Sequence, residues 1–340
     1  MNGQKAARYI GMRILFFLIC IFFLFSCKEI ETPKSKTNEH RIVVTYRPAA
    51  HIVSALKMEK YLVGIHNKAT AVPLFQNLRE DLHRIPVVGD KVGINLESIL
   101  KLDPTLVILY PGNTGLQTQK RLEELGIKSE IVQVESIQEI QNSLNKVAKY
   151  LGAEKNAQNT IQEMERICRL LQDCTSGMED STRNSVYISS SVNFFTTHSH
   201  EMLQHEMILK AGLRDASSIS YGGWVNVSVE QLMLWNPDII VISGSAPFTV
   251  ESILNNPRLA GLKAVQSQKV YRMPESRICV WDFPGPDVVL GMLWLSRLAY
   301  PEKFQNISWE KELENYYQKV YNVSYEKITK KLNGKPICKE

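Results

Sequence analysis

Residues Asn95-Leu96-Glu97-Ser98-Ile99-Leu100-Lys101-Leu102-Asp103-Pro104-Thr105-Leu106-Val107-Ile108-Leu109 recur downstream as Ser228-Val229-Glu230-Gln231-Leu232-Met233-Leu234-Trp235-Asn236-Pro237-Asp238-Ile239-Ile240-Val241-Ile242. Pro104 aligns with Pro237, and the same offset, 237 − 104 = 133 positions, pairs Glu97 with Glu230, Ile99 with Leu232 and Val107 with Ile240. One offset holding across a whole segment points to a duplicated unit, so the chain reads as two related halves. The competing reading is a coincidental helix-proline-strand unit, which is common among α/β proteins.

Each copy has the same physical logic. Leu96, Ile99 and Leu100, and in the second copy Val229, Leu232 and Met233, recur at helical spacing and predict a short amphipathic helix. The proline closes it, because proline cannot donate the next helical hydrogen bond. The runs Leu106–Leu109 and Ile239–Ile242 are almost wholly apolar, as strands buried on both faces of a parallel sheet are. Turn-forming residues follow each run, Pro111-Gly112-Asn113 and Ser243-Gly244-Ser245. Open α/β sheets bind ligands at the carboxyl ends of their strands, so both turns are candidates for the wall of a cleft.

The N-terminus carries an address. Lys5, Arg8 and Arg13 precede the apolar run Ile14–Phe25, the layout of a secretory signal, and Leu24-Phe25-Ser26-Cys27 closes it. That ending resembles a bacterial lipobox, with Phe25 bulkier than the usual residue. A plain signal anchor is the alternative, although a run of about 12 apolar residues is short for a bilayer span. On the lipobox reading, residues 1–27 end in the lipidated Cys27, residues 28–40 form a polar tether, and the protein is exported and held on a bacterial membrane, facing the periplasm or the cell exterior.

About 300 residues remain, enough for two ordinary domains. The formal charge is +5, to which the leader and the lysine-rich tail contribute, and no basic stripe interleaved with aromatics suggests nucleic acid. Beyond Cys20 and Cys27 stand Cys168, Cys174, Cys279 and Cys338; none has metal-site spacing, and export permits disulfides whose pairing the sequence leaves open.

Between the halves, Ala157, Ile161, Met164, Cys168 and Leu171 recur at intervals of four and three, with Glu163, Glu165, Arg166 and Arg169 on other faces. This predicts one amphipathic helix from Glu154 to Gln172, roughly 28 Å long at 1.5 Å per residue. A single stiff helix between two lobes predicts limited hinge motion. The expected organisation is an N-terminal α/β lobe over 41–152, an inter-lobe helix within 153–175, a C-terminal α/β lobe over 176–304 and a helical tail over 305–340.

Taken together, Arg41-Ile42-Val43-Val44 with Pro48 and Ala49, the stretch from Gly89 to Glu97, the two helix-proline-strand units, Trp224-Val225-Asn226-Val227-Ser228 and Trp281-Asp282-Phe283-Pro284-Gly285-Pro286 resemble the substrate-binding proteins of ABC importers for metal chelates. The resemblance covers about residues 41–304 and rests on the order and spacing of motifs that are individually weak. It implies two Rossmann-like α/β lobes with mainly parallel sheets, one long bridging helix, and a ligand held between the lobes. Tyr46, Arg47, Lys91, Tyr110, Asn113, Trp224, Arg277 and Trp281 then become the candidate ligand contacts. Aromatic rings offer area to a macrocycle or an apolar chelate periphery, and the cations meet anionic oxygens. Tyr110 and Trp224 match aromatic positions of cobalamin binders, and Lys91 an arginine position of hydroxamate-siderophore binders. The competing reading has Trp224 packed on a lobe surface and Arg277 solvated.

His198-Ser199-His200, with His205 five residues on, departs from that pattern, since relatives carry small residues there. The segment leads from a strand over Val186–Ser190 into a helix from about Met202 to Ala211. Two readings stand: His198 and His200 ligate a metal or the axial position of a haem or corrinoid, with His205 approaching from the helix, or they belong to a polar loop that solvates or caps the helix. The sequence assigns the cluster no carboxylate partner, which favours the loop.

The resemblance also implies one acidic docking residue per lobe for the membrane permease. Glu97 matches in the first lobe; in the second, Asp282 matches best, with Glu230 as the alternative. Each equally suits the first turn of a helix, where acids favour the macrodipole.

The function implied is capture of a ferric siderophore, haem or cobalamin by a monomeric lipoprotein with no cofactor of its own, and delivery to an ABC permease and its ATPase. A free-metal or oxyanion binder, for zinc or molybdate, is one alternative. A metal-dependent enzyme using His198 and His200 is another, against which stands the lack of a Gly-x-Ser-x-Gly, His-Glu-x-x-His or phosphate-loop motif.

Overall fold

In the computed structural model, residues 39–70, 72–89, 93–274 and 282–331 are described. The leader with Cys20 and Cys27, together with Lys91, Arg277, Cys279, Trp281 and Cys338, lies outside the described residues.

The short strands β1 (Ile42–Val44), β2 (Leu62–His66), β3 (Val87–Gly89), β4 (Leu106–Leu109) and β5 (Ser129–Ile131) form one sheet in the order β3-β2-β1-β4-β5, parallel throughout. A second sheet contains β6 (Ser185–Ser189), β7 (Thr196–His198), β8 (Arg214–Asp215), β9 (Trp224–Asn226), β10 (Ile239–Ile242) and β11 (Val270–Arg272). Its order is β11-β10-β6-β7-β9, with β8 also paired to β6. The duplication is visible in the neighbours of the repeated strand: β4 lies between β1 and β5 as β10 lies between β6 and β11, all in parallel. The sheets diverge on the other side of β1 and β6. There the first lobe adds parallel β2 and β3, whereas β6 meets a two-residue parallel β8 and the antiparallel pair β7 and β9.

The repeated helices begin alike. Asn95 accepts the Ser98 N–H before the helix Leu96–Lys101, and Ser228 accepts the Gln231 N–H before Val229–Trp235. The endings refine the expectation. Asp103 and Asn236, just ahead of the prolines, take left-handed backbones with φ of 41° and 42°, so the reversal precedes the residue that forbids further helix.

Strand periodicity divides the core. Ile42, Val44, Leu106 and Ile108, with Val186, Ile188, Ile239 and Val241, face one continuous apolar cluster that crosses both lobes. Their alternates fill separate outer clusters, Val43 and Val107 in the first lobe and Tyr187 and Ile240 in the second. The linking helix Glu154–Thr175 contributes Met164, Ile167 and Leu171 to the shared cluster. The buried stripe is turned slightly from the expected one: Ile161 and Cys168 are half-buried, whereas Thr160, Ile167 and Glu163 are buried, the last because the tail helix Trp309–Tyr321 covers that face. Lys319 Nζ and Arg166 Nε lie 2.9 and 2.7 Å from the Glu163 carboxylate, and Arg166 Nη2 lies 2.6 Å from Glu312.

The tail also ties the lobes at a second place. Tyr316 donates to the Pro286 carbonyl at 2.6 Å and Tyr321 to Asp287 Oδ2 at 2.9 Å, while His51 of the first lobe places Nδ1 3.5 Å from the same oxygen. The helix Tyr325–Lys331 then returns to the helix Pro73–Leu78 of the first lobe. Cys168 and Cys174, both on the linking helix, are free thiols. Among the described residues no helix is long and apolar enough to cross a membrane.

Candidate functional site

Tyr46, directly after β1, is buried; its hydroxyl donates to the Val132 carbonyl at 2.9 Å and burial raises its pKa well above the usual phenol value, with Tyr110 and Glu135 adding to the rise. It supports rather than lines a cleft, standing edge-on to Tyr110 with ring centroids 5.2 Å apart. Tyr110, after β4, is 50% exposed. The backbone wraps closely behind it: a Cβ on Gly115 would stand 1.8 Å from the Tyr110 carbonyl oxygen, so only glycine fits there. Asn113 opens the helix Asn113–Glu124 at the same turn.

The lobes meet along a hydrogen-bonded seam. Ile137 N–H donates to Glu206 Oε2 at 2.8 Å, and Glu135 accepts from the Leu203 backbone, although burial holds the Glu135 carboxyl above its ordinary pKa. Arg47 lies 3.7 Å over the Phe283 ring, and Gln204 Nε2 donates to the Asp282 carbonyl at 2.9 Å. Asp282 is only 8% exposed, and burial raises its pKa against the opposing Ser243 hydrogen bond and Arg47 charge. That corrects the expectation of a docking acid at Asp282, because a carboxylate under the seam offers nothing to a membrane partner. Glu230, the alternative, is exposed, as is Glu97, which pairs with Lys101 at 2.8 Å.

In the second lobe, Arg272 on β11 fixes the turn after β10. Its guanidinium donates to the carbonyls of Ser243, Gly244, Ala246 and Phe248. Nothing local in the sequence signals that role, since the partners lie 24 to 29 residues upstream. Trp224 lies on edge strand β9, 45% exposed and in register with His198.

The histidines gather where the second sheet departs from the first. The chain leaves the helix Leu203–Lys210 through Gly212, whose φ of 79° and tight approach to Thr175 suit glycine alone, and returns as β8 beneath the helix start. This brings in the carboxylate that the sequence reading lacked. Asp215 Oδ2 accepts from His205 Nδ1 at 2.7 Å and from His198 Nε2 at 2.9 Å, and Oδ1 accepts the Ser217 N–H at 2.9 Å. Burial alone would raise the Asp215 pKa; the bonds and charge from His198, then the bonds from His205 and Ser217, bring it below the ordinary value. His200 donates from Nε2 to the Ser217 carbonyl at 3.1 Å and stacks on His205 at 4.1 Å. His198 is 0% exposed and directed at Asp215, so the expected pairing of His198 with His200 as ligands gives way to His200, His205 and Asp215, whose donor atoms lie within 4.8 Å of one another.

The sequence pattern of the periplasmic binding protein family matches residues 42–276, and the chain belongs to that family. Among its relatives, the molybdate-binding protein MolA of Haemophilus influenzae is 24% identical over 308 residues, 84% of this chain and 87% of that protein. The structure of MolA bound to molybdate superposes with a TM-score of 0.73 at 23% identity, covering 84% of this chain and 94% of that one. The vitamin B12-binding protein of Yersinia pestis is 26% identical over 185 residues, 54% of this chain and 65% of that protein. Helicobacter pylori CeuE with Ni(II) bound gives a TM-score of 0.74 at 22% identity, covering 87% and 95% of the two chains. The protein is thus an exported solute-binding protein of the ABC-transporter class, and the enzyme alternative falls away because these relatives bind solutes.

Proposed function

We propose that the protein captures a metal chelate, a ferric siderophore, haem or cobalamin, between its two lobes and delivers it to an ABC permease while tethered through lipidated Cys27 as a monomer. The observation that carries this reading is the exposed aromatic pair, Tyr110 at the end of β4 and Trp224 on β9, one from each lobe. Large, rigid rings suit a macrocycle or an apolar chelate rim better than a small hydrated ion. Lys91, Arg277, Trp281 and Asn113 are assigned to the same ligand by the family resemblance, and Arg47 to the seam beneath it. Glu97 and Glu230 are the docking acids. Both sit in the first turn of helices running antiparallel to the strands, at the carboxyl edges of the two sheets.

A second reading, capture of molybdate, is favoured by the similarity to the molybdate-binding MolA across most of both chains. Full-length protein purified from its own host in detergent separates the two. A corrin, haem or ferric-siderophore absorption band at one equivalent per chain supports the chelate. Calorimetric saturation by molybdate, with no binding of any of the three chelates, would replace it.

A further inference from the structure

The cluster in the second lobe has the parts of a cation site. His205 Nδ1 and Asp215 Oδ2 stand 2.7 Å apart, so a dication that meets both atoms takes the place of the proton between them, which is released to solvent. The Ser217 carbonyl takes the Nε2 proton of His200 at 3.1 Å, which leaves Nδ1 with the free lone pair of the neutral imidazole. An imidazole whose other nitrogen donates to a carbonyl is held in the tautomer that metal ligation uses. The two rings lie face to face, 4.1 Å apart and 24° from parallel. One donor atom from each of His200, His205 and Asp215 falls within a 4.8 Å span. Exposure is graded, from the nearly buried Asp215 carboxylate through partly buried His205 to exposed His200, which gives an ion a route in.

We propose that His200, His205 and Asp215 bind a borderline transition-metal dication of the zinc, cobalt and nickel kind, with His198 acting through its 2.9 Å bond to hold Asp215 in place. Two imidazoles and one carboxylate suit such ions better than calcium or magnesium, which favour all-oxygen shells. Bonds of about 2.0–2.2 Å require the donors to draw closer than they stand, and exposed His200 is free to supply most of that movement. Three protein donors leave a fourth tetrahedral position open to water. The site goes beyond the chelate reading, since it takes the bare ion and is tested without any chelate.

His198 and Trp224 are register partners across β7 and β9, so their side chains leave the same face and Trp224 reports on the cluster. The test uses untagged full-length protein in detergent, stripped with EDTA and titrated with Co2+. The expected result is one Co2+ per chain, with d–d absorption in the visible, quenching of Trp224 fluorescence, and displacement of both signals by Zn2+. H200Q and H205Q each weaken Co2+ binding at least tenfold, whereas H83Q, on the exposed surface of the first lobe, leaves it unchanged. His200 is exposed, so H200Q keeps the fold, and a wild-type thermal transition in that variant confirms it. Retained chelate binding by H200Q alongside lost Co2+ binding supports the site as separate from the cleft. Absence of saturable Co2+ binding, or wild-type affinity in both variants, overturns the proposal whatever the chelate does.

Discussion

Asp103 and Asn236 occupy equivalent places in the two halves and share a left-handed backbone, φ 41° and 42°, immediately before their prolines. Only glycine takes that region without a steric cost of about 1–2 kcal/mol, with Asn and Asp the next most tolerant. Asn236 also accepts the Lys263 N–H at 2.8 Å through Oδ1, which fastens the start of the short helix Lys263–Gln266 to the repeat.

Asn236→Ala therefore loses both the tolerant backbone and the hydrogen bond, and should destabilise the protein by about 2 kcal/mol. Asn236→Gly loses only the bond, and about half as much stability. Urea unfolding midpoints at a common m-value check the ordering; equal losses would mean that the backbone contributes nothing.

Arg272 holds four carbonyls of the turn after β10. Lysine cannot reproduce this fork. Both Arg272→Lys and Arg272→Ala should speed amide hydrogen exchange over 243–248 and weaken solute binding several-fold, with exchange in β4 of the other lobe unchanged. Unaltered exchange in the turn would show that it is held by other contacts.

Much of this architecture was legible in the sequence, and the exceptions share a cause. The repeated helices and the linking helix carry helical apolar spacing, and the strands at 106–109 and 239–242 are unbroken apolar runs; all stand where they were read, the linking helix running on to Thr175. Three-residue β7 and β9 are too short to carry a period, so the antiparallel insertion was invisible. Asp215 lies beyond a helix and a turn from His198 and His200, and only the fold makes it their neighbour. Glu163 and Asp282 read as surface acids, because sequence shows a residue's own helix face or loop but not the tail or seam that covers it.

Trp224→Ala should weaken affinity for the captured chelate at least tenfold, about 1.4 kcal/mol. In the wild type, a chromophoric chelate should quench its fluorescence at the same stoichiometry as binding. Unchanged affinity would remove Trp224 from the contact set and leave its exposed ring as a feature of the edge strand alone.

Glu97→Lys and Glu230→Lys alter exposed side chains, and should leave solute affinity at the wild-type value with only a small loss of thermal stability, since each puts a cation at a helix start and the first also loses the Lys101 pair. Solute uptake by cells carrying either variant should fall, and the double variant should fall furthest, if a basic surface on the permease reads both lobes. Asp282→Asn serves as the contrast: as a buried change, it should shift stability. Normal uptake with the double lysine variant would place docking elsewhere.

His51 gives the fold a pH dependence whose sign is fixed by burial. Its pKa is lowered chiefly by desolvation, with Arg47 adding to the drop and the bond and charge of Asp287 opposing it. The unfolded chain therefore takes up a proton near the ordinary histidine pKa of about 6.5, while the folded protein resists. Stability from this group is complete above that value and is lost as pH falls below it toward the folded pKa, at a slope of up to about 1.4 kcal/mol per pH unit. Asp282 and Glu135, held above their ordinary values, act in the opposite sense, contributing stability at acid pH that is lost as pH rises. The net profile thus mixes both, and the difference between wild type and His51→Gln isolates the histidine. Urea midpoints from pH 7.5 to pH 5 should converge for the two proteins as pH falls, since the variant lacks the proton-linked loss. Parallel profiles would show that His51 titrates alike in the folded and unfolded chains.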